Sequence, residues 1–171
     1  MTVRVMSEHN VSRTSLSDLI EQVAGIIDSD RRVSNKELLQ ICDGCGAFDL
    51  NADAHIYHEI AETALNLLIL KKYGRDLLAS MNPIEELSTV LRPLQKRLPT
   101  QTWRSETQIA YQQFSTPVTI AFLATYLLHI RPSETVLEPS CGTGCLAVWA
   151  LAAGAKVIDR KSTRLNSSHR P

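Results

Sequence analysis

An acid closes a short apolar run, and two glycines follow within six residues. In "VLEPSCGTGCLA", Glu138 ends the run, Pro139, Ser140 and Cys141 follow, and Gly142, Thr143 and Gly144 form a turn. Gly142, Gly144 and Ala147 satisfy the G-x-G-x-x-A form of a dinucleotide-binding turn, a weak signal by itself. A pyrophosphate would sit at such a turn, against the start of a helix, where negative charge is favoured. Glu138 at the mouth of the turn repels that charge and suits a cationic ligand. S-adenosylmethionine carries a sulfonium and an ammonium group and no phosphate. The plain alternative is a glycine turn with a structural role only.

The segment "FSTP", Phe114, Ser115, Thr116 and Pro117, precedes that turn. Thr116 is expected to cap a helix with Pro117 as its first residue. The free N–H groups of that first turn would favour a carboxylate, which the same ligand has on its methionine end. Phe114 could offer it an apolar face. Taken alone, the three residues after Phe114 read as an ordinary helix start.

Other reactive residues point to structure. Cys42 and Cys45 lie close to His55 and His58, nearer than the usual spacing of zinc-ligand pairs. They are read as helix-turn residues and half-exposed histidines, and no metal is expected. No thioredoxin-like pattern surrounds the cysteines. His129 closes an apolar helix, where a cation suits the negative end. Trp103 and Arg104 read as a junction anchor rather than a nucleic-acid contact.

The elements that must position these residues follow from periodicity. Leu16, Leu19, Ile20, Val23, Ile26 and Ile27 recur at helical spacing behind Ser15 or Ser17. Ser34 and Glu37 are in capping-box register. A long helix is expected from about Asn51 to Tyr73, with Gly74 as a left-handed stop. Asn82, Pro83 and Glu85 open another helix that Pro93 should kink or end. After a polar junction, an apolar helix runs from Pro117 to about His129. Then "TVLE" is a strand, "GCLAVWALAAG" a helix and "AKVI" a strand, one βαβ unit of a parallel sheet.

Composition sets few limits. Lysine plus arginine and aspartate plus glutamate number 18 each, so the net charge is zero and gives no global argument for nucleic acid. The first residues lack a signal-peptide core, no apolar run is long enough to span a membrane, and the cysteines fall in two close pairs. A soluble, cytoplasmic protein is the expectation.

Together, "QQFSTP" and "VLEPSCGTGCLA" resemble the class I S-adenosylmethionine-dependent methyltransferases, in particular the DNA (adenine amino) type. The longer stretch "LPTQTWRSETQIAYQQFSTP" after "LKKYG" is similar to a narrower group, bacterial proteins that fuse such a domain to a strawberry-notch-like helicase. The resemblance spans roughly residues 34–158. It implies an α/β fold: an all-helical N-terminal region (1–97), then the truncated start of a doubly wound, Rossmann-like domain (98–158). It also implies S-adenosylmethionine as cofactor and DNA as partner. Glu138, Pro139, Ser140, Cys141, Gly142, Thr143 and Gly144 would form the cofactor loop. Phe114, Ser115, Thr116 and Pro117 would line its methionine side. Cys141 departs from the small residue usual in that loop.

The family's catalytic motif, Asp or Asn before Pro-Pro and an aromatic residue, does not occur in the sequence. The chain is therefore expected to be an inactive fragment. Asp159 to His169 is, residue for residue, the translation of a common short-read sequencing adapter, so 159–171 is read as an artefactual tail. Asp159 stands near the place where such folds hold ribose hydroxyls, but as the adapter's first codon it is given no role. Two other classes remain: a non-catalytic methyltransferase-like module of a helicase protein, and a dinucleotide-dependent oxidoreductase, which Glu138 disfavours.

Overall fold

Ser15 starts helix α1 (Leu16–Asp28) with a reciprocal cap. Its hydroxyl accepts from the Asp18 N–H, and the Asp18 carboxylate accepts from the Ser15 N–H, both at 3.1 Å. The computed structural model of the protein describes residues 15–45, 55–100 and 115–159. Helix α2 (Asn35–Cys45) begins with half of its expected box. The Ser34 hydroxyl accepts from the Glu37 N–H at 3.1 Å, but the Glu37 carboxylate turns to the Arg31 guanidinium at 2.7 and 3.0 Å. A forked charged donor outcompetes one backbone N–H.

Helix α3 (His55–Leu68) passes through a π turn (Ile69–Tyr73) into α4 (Gly74–Ala79). The expected left-handed stop at Gly74 is absent; its φ is −60°. Next come α5 (Pro83–Glu86), a second π turn (Leu87–Leu91) and α6 (Arg92–Lys96). Asn82 caps α5 as expected, its side-chain oxygen accepting from the Glu85 N–H at 3.3 Å. Pro93 does not end the helix. It has no N–H to give, and the chain widens into the π turn just before it, with the Arg92 N–H on the Leu87 carbonyl.

Helix α7 (Val118–Leu128) stops at His129, which adopts a left-handed conformation (φ 49°, ψ 45°). Strand β1 (Thr135–Glu138), helix α8 (Ala147–Ala152) and strand β2 (Lys156–Asp159) follow. The strands are parallel, with Val136 opposite Val157 and Glu138 opposite Asp159. The described residues thus form a helix-rich chain with one βαβ unit. Helix α8 starts three residues after Gly144, later than the sequence suggests, because the turn continues through Leu146. Asp159 belongs to β2, so the strand runs one residue past Ile158; residues 160–171 lie outside the described residues.

One core joins these elements. It holds Leu19, Val23 and Ile27 of α1, Ile60, Ala64 and Leu68 of α3, Phe122 of α7 and Trp149 of α8. The Phe122 and Trp149 rings lie 5.0 Å apart in a tilted pair. Gly74 is needed for this packing. A Cβ there would stand 2.7 Å from the Ala152 Cβ and 2.8 Å from the Ile69 carbonyl oxygen.

Candidate functional site

Strand β1 delivers Glu138 to the start of the glycine turn, where its carboxylate accepts from the Ser140 N–H at 2.9 Å. The turn closes with the Gly144 N–H on the Cys141 carbonyl at 2.7 Å. Gly142 and Gly144 have φ of 52° and 87°, where side chains are strained. An added Cβ at Gly144 would meet nothing within 4 Å, and one at Gly142 only the Ser140 carbonyl at 3.9 Å. The turn is therefore glycine for its conformation and leaves open space for another molecule's close approach.

Pro117, not Thr116, occupies the cap position of α7. Its ψ of 138° is extended, and its carbonyl accepts from Ile120 (2.9 Å) and Ala121 (3.0 Å). The first helical residue is consequently Val118, one later than expected. The Val118 and Thr119 N–H groups have no acceptor among the described residues, as the geometry of a helix start dictates.

Helix α3 joins these two segments. The Glu62 carboxylate accepts from the Ser115 hydroxyl at 2.5 Å and from the Thr143 hydroxyl at 3.0 Å, both through Oε2. One turn later, the Asn66 amide donates to the Thr143 carbonyl at 2.8 Å and reaches Cys145 Sγ at 3.7 Å. Asn66 is 7% exposed, and its Oδ1 is buried without a partner.

A cleft of about 300 Å³ opens here, walled by α3, the Ser115–Val118 segment and the residues after α6, with Cys145 beneath. That volume is at the small end of ligand pockets. No lysine or arginine is among the described residues that line it, and Glu62 is the acid among them. Burial lowers the pKa of His58, against the pull of the Glu62 charge. Burial likewise raises that of the Cys145 thiol, with the Thr143 contact opposing. Both are thereby biased to their neutral forms.

Ser115, Thr116 and Pro117 thus line the cleft, while Phe114 lies outside the described residues. Glu138, Pro139, Ser140, Cys141, Gly142, Thr143 and Gly144 form the neighbouring turn and are not in the lining; Thr143 is tied to it through Glu62. Cys42 is buried in the core. The side chains of Cys45 and His55, like Trp103 and Arg104, lie outside the described residues. Sequence reasoning missed Glu62, Asn66, Cys145 and the cleft position of His58. A signal existed: His58, Glu62 and Asn66 form a polar row at four-residue spacing along α3.

No protein-family model, curated protein or solved structure matches this chain. Among the described residues, no helix is long and apolar enough to cross a membrane.

Proposed function

We propose that this chain carries the S-adenosylmethionine site of a methyltransferase with a doubly wound, Rossmann-like α/β domain, acting on an adenine amino group in DNA. The observation that carries the cofactor assignment is the Glu62 bridge, which brings the Ser115–Pro117 segment and the glycine turn together. Those segments were singled out separately in the sequence for the methionine end and the body of one ligand. The residues fit that ligand. The open N–H groups of Val118 and Thr119 suit its carboxylate, the acids Glu62 and Glu138 its positive charge, and Gly142 and Gly144 a close backbone approach.

The wider fold is inferred from surface that the described elements leave uncovered. Helix α7 is apolar nearly all round, yet Leu127 and Leu128 are exposed, and Leu137 of β1 is 67% exposed. Parallel strands are normally covered on both faces, as further layers of a doubly wound sheet would do. The DNA target rests on the sequence resemblance alone, and a duplex target would need its base flipped out. No D-P-P or N-P-P occurs in the sequence, so no residue here is assigned to methyl transfer.

Calorimetric titration of the chain with S-adenosylmethionine and with a nicotinamide dinucleotide tests the cofactor assignment. Glu138→Ala should weaken S-adenosylmethionine about ten- to a hundredfold, the usual effect of losing a charge-assisted contact. Gly144→Val should abolish binding. Equal affinity in all three proteins, or tighter dinucleotide binding, would defeat it.

A further inference from the structure

We propose that the turn between α1 and α2, together with the end of α6, forms a surface that binds the phosphate backbone of a nucleic acid; this rests on the placement of charge and not on the cofactor reading above. The first ground is a local excess of charge on a neutral chain. Residues 30–37 and 92–100 hold six cations, Arg31, Arg32, Lys36, Arg92, Lys96 and Arg97, against two acids, Asp30 and Glu37. Three hydrogen bonds join the two segments. The Val33 N–H donates to the Arg97 carbonyl at 2.8 Å, the Arg32 guanidinium to the Thr100 hydroxyl at 2.5 Å, and the Asn35 amide to the Thr100 carbonyl at 3.1 Å. Their charges therefore share one part of the surface.

The second ground is which of these charges are already satisfied. Both acids are taken, Glu37 by Arg31 and Asp30 by Arg97. Asp28, the next acid along α1, is bonded to Lys72 and to the Tyr73 hydroxyl. Arg32, Lys36, Arg92 and Lys96 are exposed and pair with no acid among the described residues. Arg92 and Lys96 stand four residues apart on one face of α6. Such a set suits a polymer of repeating anions, and the arginine fork matches phosphate oxygens in particular. The third ground is what the surface lacks. None of the exposed large apolar residues among the described residues belongs to either segment. A membrane surface or a docked peptide would use apolar anchors beside the cations, whereas phosphate contacts need none.

The competing account makes these cations an ordinary solvated face. Fluorescence anisotropy of a labelled DNA duplex, titrated with the 171-residue chain over a series of salt concentrations, separates the two. Lys36→Gln with Lys96→Gln removes one charge from each segment, and neither side chain has a hydrogen bond or ion pair to lose among the described residues. Arg75→Gln with Lys156→Gln removes the same charge from exposed positions elsewhere. The first pair should weaken binding at low salt about tenfold and make the salt dependence shallower by about two in logarithmic slope. The second pair should leave both nearly as they are. Equal effects of the two pairs, or no binding of DNA by the wild type, overturn the proposal. Wild-type binding to poly-glutamate or to phosphatidylserine vesicles as tight as to DNA overturns it as well. The expected losses in a chain that takes up no S-adenosylmethionine leave this proposal standing and defeat only the cofactor assignment.

Discussion

Along one side of α3, Ile60, Ala64 and Leu68 are buried in the core shared with Leu19, Val23 and Ile27 of α1. Two residues out of phase, about 200° around the helix, His58, Glu62 and Asn66 face the cleft. The apolar side is held by packing against neighbours of the same kind. The polar side is held by directional bonds to segments distant in sequence, Ser115 and Thr143. The acids elsewhere on the helical region behave differently again. Glu21 pairs with Lys71, Asp30 with Arg97, and Asp28 accepts from Lys72 at 2.7 Å and from the Tyr73 hydroxyl at 2.7 Å. Such exposed pairs contribute little, typically up to about 1 kcal/mol each. Glu62 lies at the edge of a cavity and accepts from two hydroxyls on segments distant in sequence.

The apolar side should prove far more sensitive than the polar one. The largest expected effect is that of Trp149→Ala, which empties a fully buried site beside Phe122. A loss of about 3–5 kcal/mol is the usual result of such a truncation. Urea unfolding followed by circular dichroism should then show one transition, moved to lower denaturant. A helical transition left in place would mean that α1 and α3 fold independently of α8, and the single core would be refuted.

Two glycines give a smaller and more diagnostic contrast. Gly74→Ala drives a Cβ to 2.7 Å from Ala152 and 2.8 Å from the Ile69 carbonyl, and overpacking of this kind costs about 1–3 kcal/mol. Gly25→Ala, on the exposed face of α1, meets nothing within 4 Å and should stabilise by about 0.4–1 kcal/mol. Thermal melts of the two variants should move in opposite directions. Shifts of the same sign would show that the α4–α8 approach is looser than the distances imply.

Much of the local structure was legible because its causes are local. A serine cap ahead of α1, Asn82 with Glu85, and the apolar repeat of α1 act over three or four residues, and each appears as expected. The βαβ order was legible for the same reason. Gly74 and Pro93 misled because their surroundings decide their use: close approach of Ala152 in one case, a preceding π turn in the other. The candidate site was legible only in part. Ser115 and Thr143 stand in conspicuous motifs, but Glu62 lies 53 and 81 residues from them and looks, in the sequence, like any polar residue on a helix's solvent side. A polar row acquires its meaning from what folds over it, and periodicity does not report that.

The smallest effect expected is also the one that separates the two sides of the helical region by pH. Burial holds the pKa of His58 below its ordinary 6.5, with the Glu62 charge opposing. As pH falls through 6.5 the unfolded chain therefore takes up this proton before the folded chain does. Stability must decline from there until the folded value is passed. Asp28 and Glu37 are shifted down from ordinary values of 3.8 and 4.5, Asp28 chiefly by its hydrogen bond to Lys72 and Glu37 by its bond to Arg31. Their contribution is present above those ordinary values and is lost only as pH falls further, toward the folded values. Acidification should thus weaken the cleft side first and the ion-paired rim later. Thermal melts between pH 7.5 and 5 should show a shallow decline in the wild type that His58→Gln removes. A wild-type melting temperature that rises on acidification through 6.5, or an unchanged slope in the variant, would show that His58 is held by Glu62 as a cation rather than buried as a neutral ring.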